Sequence, residues 1–282
     1  MLKLPTMLSW LSFLLPWDFS FVDLAVTVAA ILLYARGIRT YRPGSMPTRP
    51  WAFYCGLLLI YAALQTRWDY YASHMFFVHR LQHFALHDVG PFLLCFSAPW
   101  AVLLEGLPAQ ARRTVRSWQP VMRPLGRFML EPWTATALFV GSLCLWVWPP
   151  MHFYVMLSNW LYNVMNWSVV LLDLPFWWLI LDPRPHPESR LGQGTRILML
   201  TAVMAPMILV GALIDLAHHD IYPVYEICGR FLPVAPITDQ QIGGLIIWIP
   251  GSMLATLTAL IALRRAMHHS DARHRALLAQ RQ

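Results

Sequence analysis

Seven predominantly apolar stretches, at 19–34, 51–64, 71–104, 133–148, 160–181, 197–215 and 242–263, constrain this chain of 282 residues more than any other feature. Crossing the hydrocarbon core of a bilayer takes about 20 apolar residues of helix. Inside that core every backbone N–H and C=O must be bonded within the protein, which leaves helices and closed barrels. The expected fold class is therefore all-α, a polytopic membrane helical bundle of about seven transmembrane helices forming one integral domain over 1–282. The third stretch is long enough for a span and a break. Gly90-Pro91 supplies the break, because proline lacks an amide hydrogen and disfavours helix in the residue before it. Charged residues make up only 12% of the chain, about half the fraction of an average soluble domain, so an ordinary soluble enzyme is excluded. The 14 Trp, 10 Tyr and 14 Phe suit helix ends at a membrane surface.

The net charge of +7 is informative through its placement, since there is too little polar surface for a nucleic-acid groove. Of 21 Lys and Arg, 17 fall in four alternate segments, 35–50, 105–132, 182–196 and a basic tail at 264–282. Lys3, Arg67, Arg80 and Arg230 are left for the other side. The positive-inside rule then sets the N-terminus outside and the C-terminus in the cytoplasm, with the arginine clusters against anionic membrane lipids. The proline-rich 182–187 reads as a turn. Cys55, Cys95, Cys144 and Cys228 are scattered, with no C-x-x-C pair, so neither a disulfide framework nor a thioredoxin-like motif is expected. The first residues, with Lys3, Pro5 and Pro16 and no A-x-A-like site, do not read as a cleaved signal peptide.

Orientation makes the histidines informative. His186, His268, His269 and His274 fall among the cytoplasmic basic residues; His74, His79, His83, His87, His152, His218 and His219 fall in or near the outer half. Met75, His79, His83 and His87 each follow the last by four residues. Four residues turn a helix by about 40° and raise it about 6 Å, so these side chains form one stripe about 120° wide. Imidazole and thioether are both copper ligands, and ionisable groups within a membrane are costly and usually functional. The stripe is the candidate metal or cofactor site, with His74, His218 and His219 as weaker candidates, and His152 reads equally as ligand or loop residue. Asp88 either orients the His87 imidazole, pairs with Arg80 or carries a proton. Asp173 and Asp239 are intramembrane carboxylates, functional or structurally paired. There is no Ser-His-Asp order, P-loop or H-E-x-x-H, so a hydrolase or NTPase finds no support.

The segment SHMFFVHRLQHFALHDVGPFLLCFSAP, 73–99, resembles the corresponding stretch of the CtaG-type cytochrome c oxidase assembly factors, with its apolar P-x-L-L run and closing proline. FWWLILDPRP at 176–185, GALIDLAHHDIYPVY at 211–225 and DQQIGGLIIWIPG at 239–251 agree in order, the last most specifically, and the resemblance covers about 57–263. It implies a non-enzymatic protein of the bacterial plasma (inner) membrane that helps mature a haem-copper oxidase. Copper would be delivered from the extracytoplasmic side, with oxidase subunits, periplasmic copper chaperones and membrane lipids as partners. It carries over His79 and His83 as ligands, and Asp239, Gln240 and Gln241 as polar contacts at the mouth of the seventh span. A second histidine pair of the family falls on Tyr162 and Asn166, where this sequence departs from the pattern, leaving His87, His218, His219 or Met75 as substitutes. Two other readings stay open: a b-type cytochrome holding haem between facing histidines, and a copper or proton permease using Asp88, Asp173 and the stripe.

Overall fold

The computed structural model describes residues 15, 16, 18–41, 48–184 and 189–279, with Arg265 and 268–279 in backbone alone. Lys3, Pro5, Arg42, His186, the prolines at 185 and 187, and Arg281 lie outside the described residues, as do the side chains of Arg265, His268, His269, Arg273, His274 and Arg275. Among the described residues helices are joined by short irregular connections, with one isolated bridge between Pro16 and Thr66 and no strand. The helices are α1 (Phe21–Thr40), α2 (Pro50–Gln65), α3 (Arg67–His74), α4 (Phe76–His83), a π-helical turn (Phe84–Val89), α5 (Gly90–Phe96) and α6 (Trp100–Gly106). They continue with α7 (Ala109–Met129), α8 (Pro132–Val147), α9 (Pro149–Met156), α10 (Asn159–Leu181), α11 (Gln193–Asp215), α12 (Val224–Cys228) and α13 (Pro236–Ala279).

Four of these, α1, α10, α11 and the first 29 residues of α13, are long and apolar enough to cross a bilayer, and two bent pairs raise the number to six. The remaining expected stretch forms α2, an apolar helix whose 16 residues fall short of that length. The third stretch breaks in different places from the one its sequence suggested. Met75 is extended between α3 and α4, and α5 meets α6 at a 71° bend through 97–99, where Ala98 takes the left-handed φ of 52°. Gly90-Pro91, the expected break, lies within the helical path. Pro91 sits in the first turn of α5, where a missing amide hydrogen is tolerated. The preceding turn is wound wider, Gly90 N–H reaching back to the Ala85 carbonyl. The Trp177 indole donates to the His87 carbonyl at 3.3 Å.

The 105–132 connection is largely helical too. In α7, Arg112, Arg113, Arg116, Arg123 and Arg127 fall within about 100° of arc at 100° per residue. Val115, Trp118, Val121, Met122, Leu125 and Phe128 fall on the opposite arc, and no residue of the helix is buried. The final helix does not stop at 263 but continues through the basic tail to Ala279.

The largest core cluster joins α8, α10 and α11 around Phe139, Phe176 and Trp177. The α11–α13 crossing is glycine-lined. A Cβ on Gly244 would stand 2.8 Å from the Gly211 carbonyl oxygen and the Asp215 nitrogen, so the two backbones approach as small residues permit in membrane helix pairs.

Candidate functional site

The site begins at the Met75 break. Ending one helix and starting another leaves the first N–H groups of α4 without helical partners, and Asp239 from α13 supplies them. Its two carboxylate oxygens accept from Phe76 N–H at 3.0 Å and Phe77 N–H at 2.8 Å. Arg230 closes an ion pair on the same carboxylate and reaches Asp220 at 3.7 Å. Phe76 stacks on Tyr222 at 4.1 Å, its ring lying where a Cβ on Gly243 would be. Gln240, next to Asp239, accepts from Ile221 N–H at 2.8 Å and donates to the Ile214 and His219 carbonyls at 3.2 Å. Gln241 is half-buried, and its side chain makes no hydrogen bond among the described residues.

One turn into α4, His79 and His83 stack at 4.6 Å between ring centroids, and both are buried. Neither ring nitrogen of His79 makes a hydrogen bond of good distance and angle, the Ala72 backbone being a polar neighbour, and Nε2 of His83 has no partner. A buried polar atom ordinarily costs about 1–3 kcal/mol when unpaired, and since each neutral imidazole carries one N–H and one lone-pair nitrogen, the two rings leave at most two lone pairs uncommitted. The α10 positions of the absent second histidine pair are adjacent: Tyr162 lies 5.8 Å from the His79 ring, and Asn166 is buried with Oδ1 unpaired. Tyr162 donates to Gln82 Oε1 at 3.1 Å, and Gln82 donates to Asp69 at 2.8 Å.

His152, from α9, stands 5.0 Å from His79. Burial, reinforced by the Arg80 charge, holds its pKa down at about 3. The neutral ring donates Nδ1–H to the Trp146 carbonyl at 3.0 Å and accepts at Nε2 from the Tyr225 hydroxyl at 2.9 Å. Both nitrogens are thus engaged, making His152 a wall of the site.

His87 pairs through Nδ1 with Asp173, which also accepts from Ser142 at 3.4 Å. The orienting carboxylate is therefore Asp173 of α10 rather than the adjacent Asp88. A carboxylate on Nδ1 fixes the tautomer that leaves Nε2 with its lone pair, the arrangement common in metal-ligating histidines, and Nε2 is unpartnered. His83, His87, Asp88 and Arg80 line a cavity of about 20 Å³, the size of a water or an ion. Arg80 is buried with all three guanidinium nitrogens unpartnered, its charge 5.0 Å from the Phe76 ring. No ion pair joins it to Asp88 among the described residues.

The weaker candidates stand apart. His74 is held by its Nδ1 against the Tyr70 carbonyl at 2.7 Å, and the side chains of His218 and His219 are exposed. Met75 is fully buried at the break itself. Among the described residues no three His, Cys, Asp or Glu side chains converge as a metal shell. The arrangement found is a stacked pair, a third imidazole one turn further and an ion-sized cavity lined by His83 and His87 but not by His79. Sequence reasoning missed Arg80, Tyr222 and Tyr225 as parts of this cluster. The signal for Arg80 was present, an arginine beside a histidine inside an apolar run.

An acidic cleft of about 260 Å³ lies behind Tyr162, lined by Asp18, Asp23 and Asp69. Asp23 accepts from Gln65 at 2.6 Å and from the Trp167 indole at 3.2 Å. Burial pushes the Asp69 carboxyl up to about 6, opposed by the hydrogen bond from Gln82.

A family model described as cytochrome c oxidase caa3 assembly factor (Caa3_CtaG) matches residues 32–269. An uncharacterized protein of Mycobacterium leprae is 28% identical over 209 residues, covering 72% of this chain and 31% of that protein. Uncharacterized proteins of Mycobacterium bovis and Mycobacterium tuberculosis are each 28% identical over 245 residues, covering 82% of this chain and 36% of theirs. The chain spans about a third of the length of these curated relatives. No solved structure matches.

Proposed function

The chain belongs to the family of cytochrome c oxidase caa3 assembly factors, and on that premise we propose that it serves oxidase maturation by holding copper in transit. The observation that carries this reading is the stacked, buried His79–His83 pair, whose rings leave up to two lone pairs uncommitted. His79 and His83 would be the ligands, His87 Nε2 and Met75 auxiliary ones. A thiolate-free nitrogen and thioether set suits copper, and an incomplete shell exchanges ligands readily. Arg80 favours release over storage, since a buried guanidinium repels a bound cation. The acidic cleft behind Tyr162 gives a cation an attractive approach. Asp239 and Gln240 would set the start of α4 on which the pair stands.

The protein would act without catalysing a reaction, in the bacterial inner membrane. Seven spans are proposed, α2 included, with the N-terminus outside and the C-terminus cytoplasmic, so that the histidine pair faces the side where a copper chaperone and the oxidase subunits meet it. A haem between facing histidines is disfavoured. His79 and His152 stand with rings 5.0 Å apart, too close for a macrocycle between them, and both His152 nitrogens are engaged.

Cu(I) titration with metal analysis of the purified protein tests the reading. Wild type is expected to bind and His79→Ala/His83→Ala to lose binding; equal binding by both removes the site. A strain lacking the protein should have an oxidase depleted of copper and activity, and a normal oxidase there would refute the maturation role. Metal flux into proteoliposomes, abolished by His79→Ala, would favour the permease instead.

A further inference from the structure

Outside the histidine cluster, a groove of about 740 Å³ runs between α7 and α10. Arg123 and Arg127 of α7 and Arg190, beyond the C-terminal end of α10, line it together with Leu171, Leu174 and Trp178 of α10. Arg190 is positioned by donating to the Leu130 carbonyl at 3.3 Å. From Trp178, near the C-terminal end of α10, to Leu171 the wall runs about 10 Å back along the helix and into the span, and Leu171 is 57% exposed.

We infer that this groove binds one anionic diacyl phospholipid, its phosphate on Arg123, Arg127 and Arg190 and an acyl chain along Trp178 to Leu171. Guanidinium groups recognise phosphate oxygens in pairs, and three converging on a groove supply more than a diffuse surface potential. The wall continues onto the exposed face of a membrane-crossing helix, where its neighbour is lipid. The character of α7 supports the same occupant. Its arginine arc and its exposed apolar arc lie on opposite sides, the pattern of a helix lying in the membrane interface. The groove then runs from headgroup level near the C-terminal end of α10 to acyl level at Leu171. A free phosphate or a soluble anion would leave the apolar wall unused.

Native mass spectrometry of the full chain in nonionic detergent, with added phosphatidylglycerol or phosphatidylcholine, tests this. Wild type is expected to retain phosphatidylglycerol about tenfold more strongly than phosphatidylcholine. Arg123→Gln/Arg127→Gln/Arg190→Gln should lose the preference, while Arg113→Gln/Arg116→Gln, on the same helix but outside the groove, should keep it. Gly126→Phe retains every charge, and a Cβ at that lining position meets nothing within 4 Å; it should reduce retention by filling the groove. Preference surviving in the triple variant, or lost equally in the Arg113/Arg116 variant, would overturn the proposal. Displacement of the lipid by equimolar inorganic phosphate would overturn the diacyl assignment.

Discussion

His79 and His83 could be found from the sequence because a four-residue interval survives as a stripe on any helix; their surroundings could not. Tyr162, His152 and Tyr225 reach the pair from three separate segments, through packing that no local pattern encodes. The same holds for Asp173, found as an intramembrane carboxylate but not as the partner of His87. Two predictions belong to single residues. Replacing Arg80 by Gln removes a desolvated positive charge beside the pair and should tighten Cu(I) binding about tenfold or more, read by competition with a chromophoric chelator. Asp69, raised to about 6 by burial, binds its proton more tightly folded than unfolded. Its contribution to stability should therefore be greatest below about pH 4 and be lost as pH rises through 6, a difference of about 3 kcal/mol. Asp69→Asn should flatten that fall, as measured by unfolding in detergent from pH 4 to 7.5.

At the scale of elements, the apolar stretches located most helices to within a few residues, since desolvation of the backbone leaves a spanning segment little choice. The breaks were misplaced because proline is tolerated in a first helical turn, whereas the Met75 break depends on a carboxylate 164 positions later in the chain. Asp239→Asn keeps an acceptor but loses the charge on two helix-start amides and the Arg230 pair. It should cost about 2 kcal/mol, with weaker copper retention if α4 carries the ligands. Glycines set the other contacts. Gly244→Val should destabilise by about 1–3 kcal/mol, because its side chain meets backbone at 2.8 Å. Gly141→Ala, with nothing within 4 Å, should leave the melting temperature unchanged or slightly raised.

For the whole molecule, charge placement supplied an orientation and hydropathy an all-helical bundle, while α7 stayed hidden inside a segment read only as basic. Its apolar residues recur at helical spacing, but they are too interspersed with arginine to stand out in a search for spans. The proposed orientation gives a direct expectation: a fluorescent protein fused after residue 282 should glow in cells, and alkaline phosphatase at the same place should be inactive. The opposite pattern would invert the bundle and turn the histidine pair toward the cytoplasm. Pro91 and Trp177, described above as a helix without one amide hydrogen and an indole that bonds the His87 carbonyl, have a consequence for heredity. Trp177→Phe alone strips that carbonyl of its indole donor, whereas alongside Pro91→Ala the turn regains a backbone donor. The two positions, 86 apart in the chain, should then behave as an epistatic pair, each setting how much variation the other tolerates.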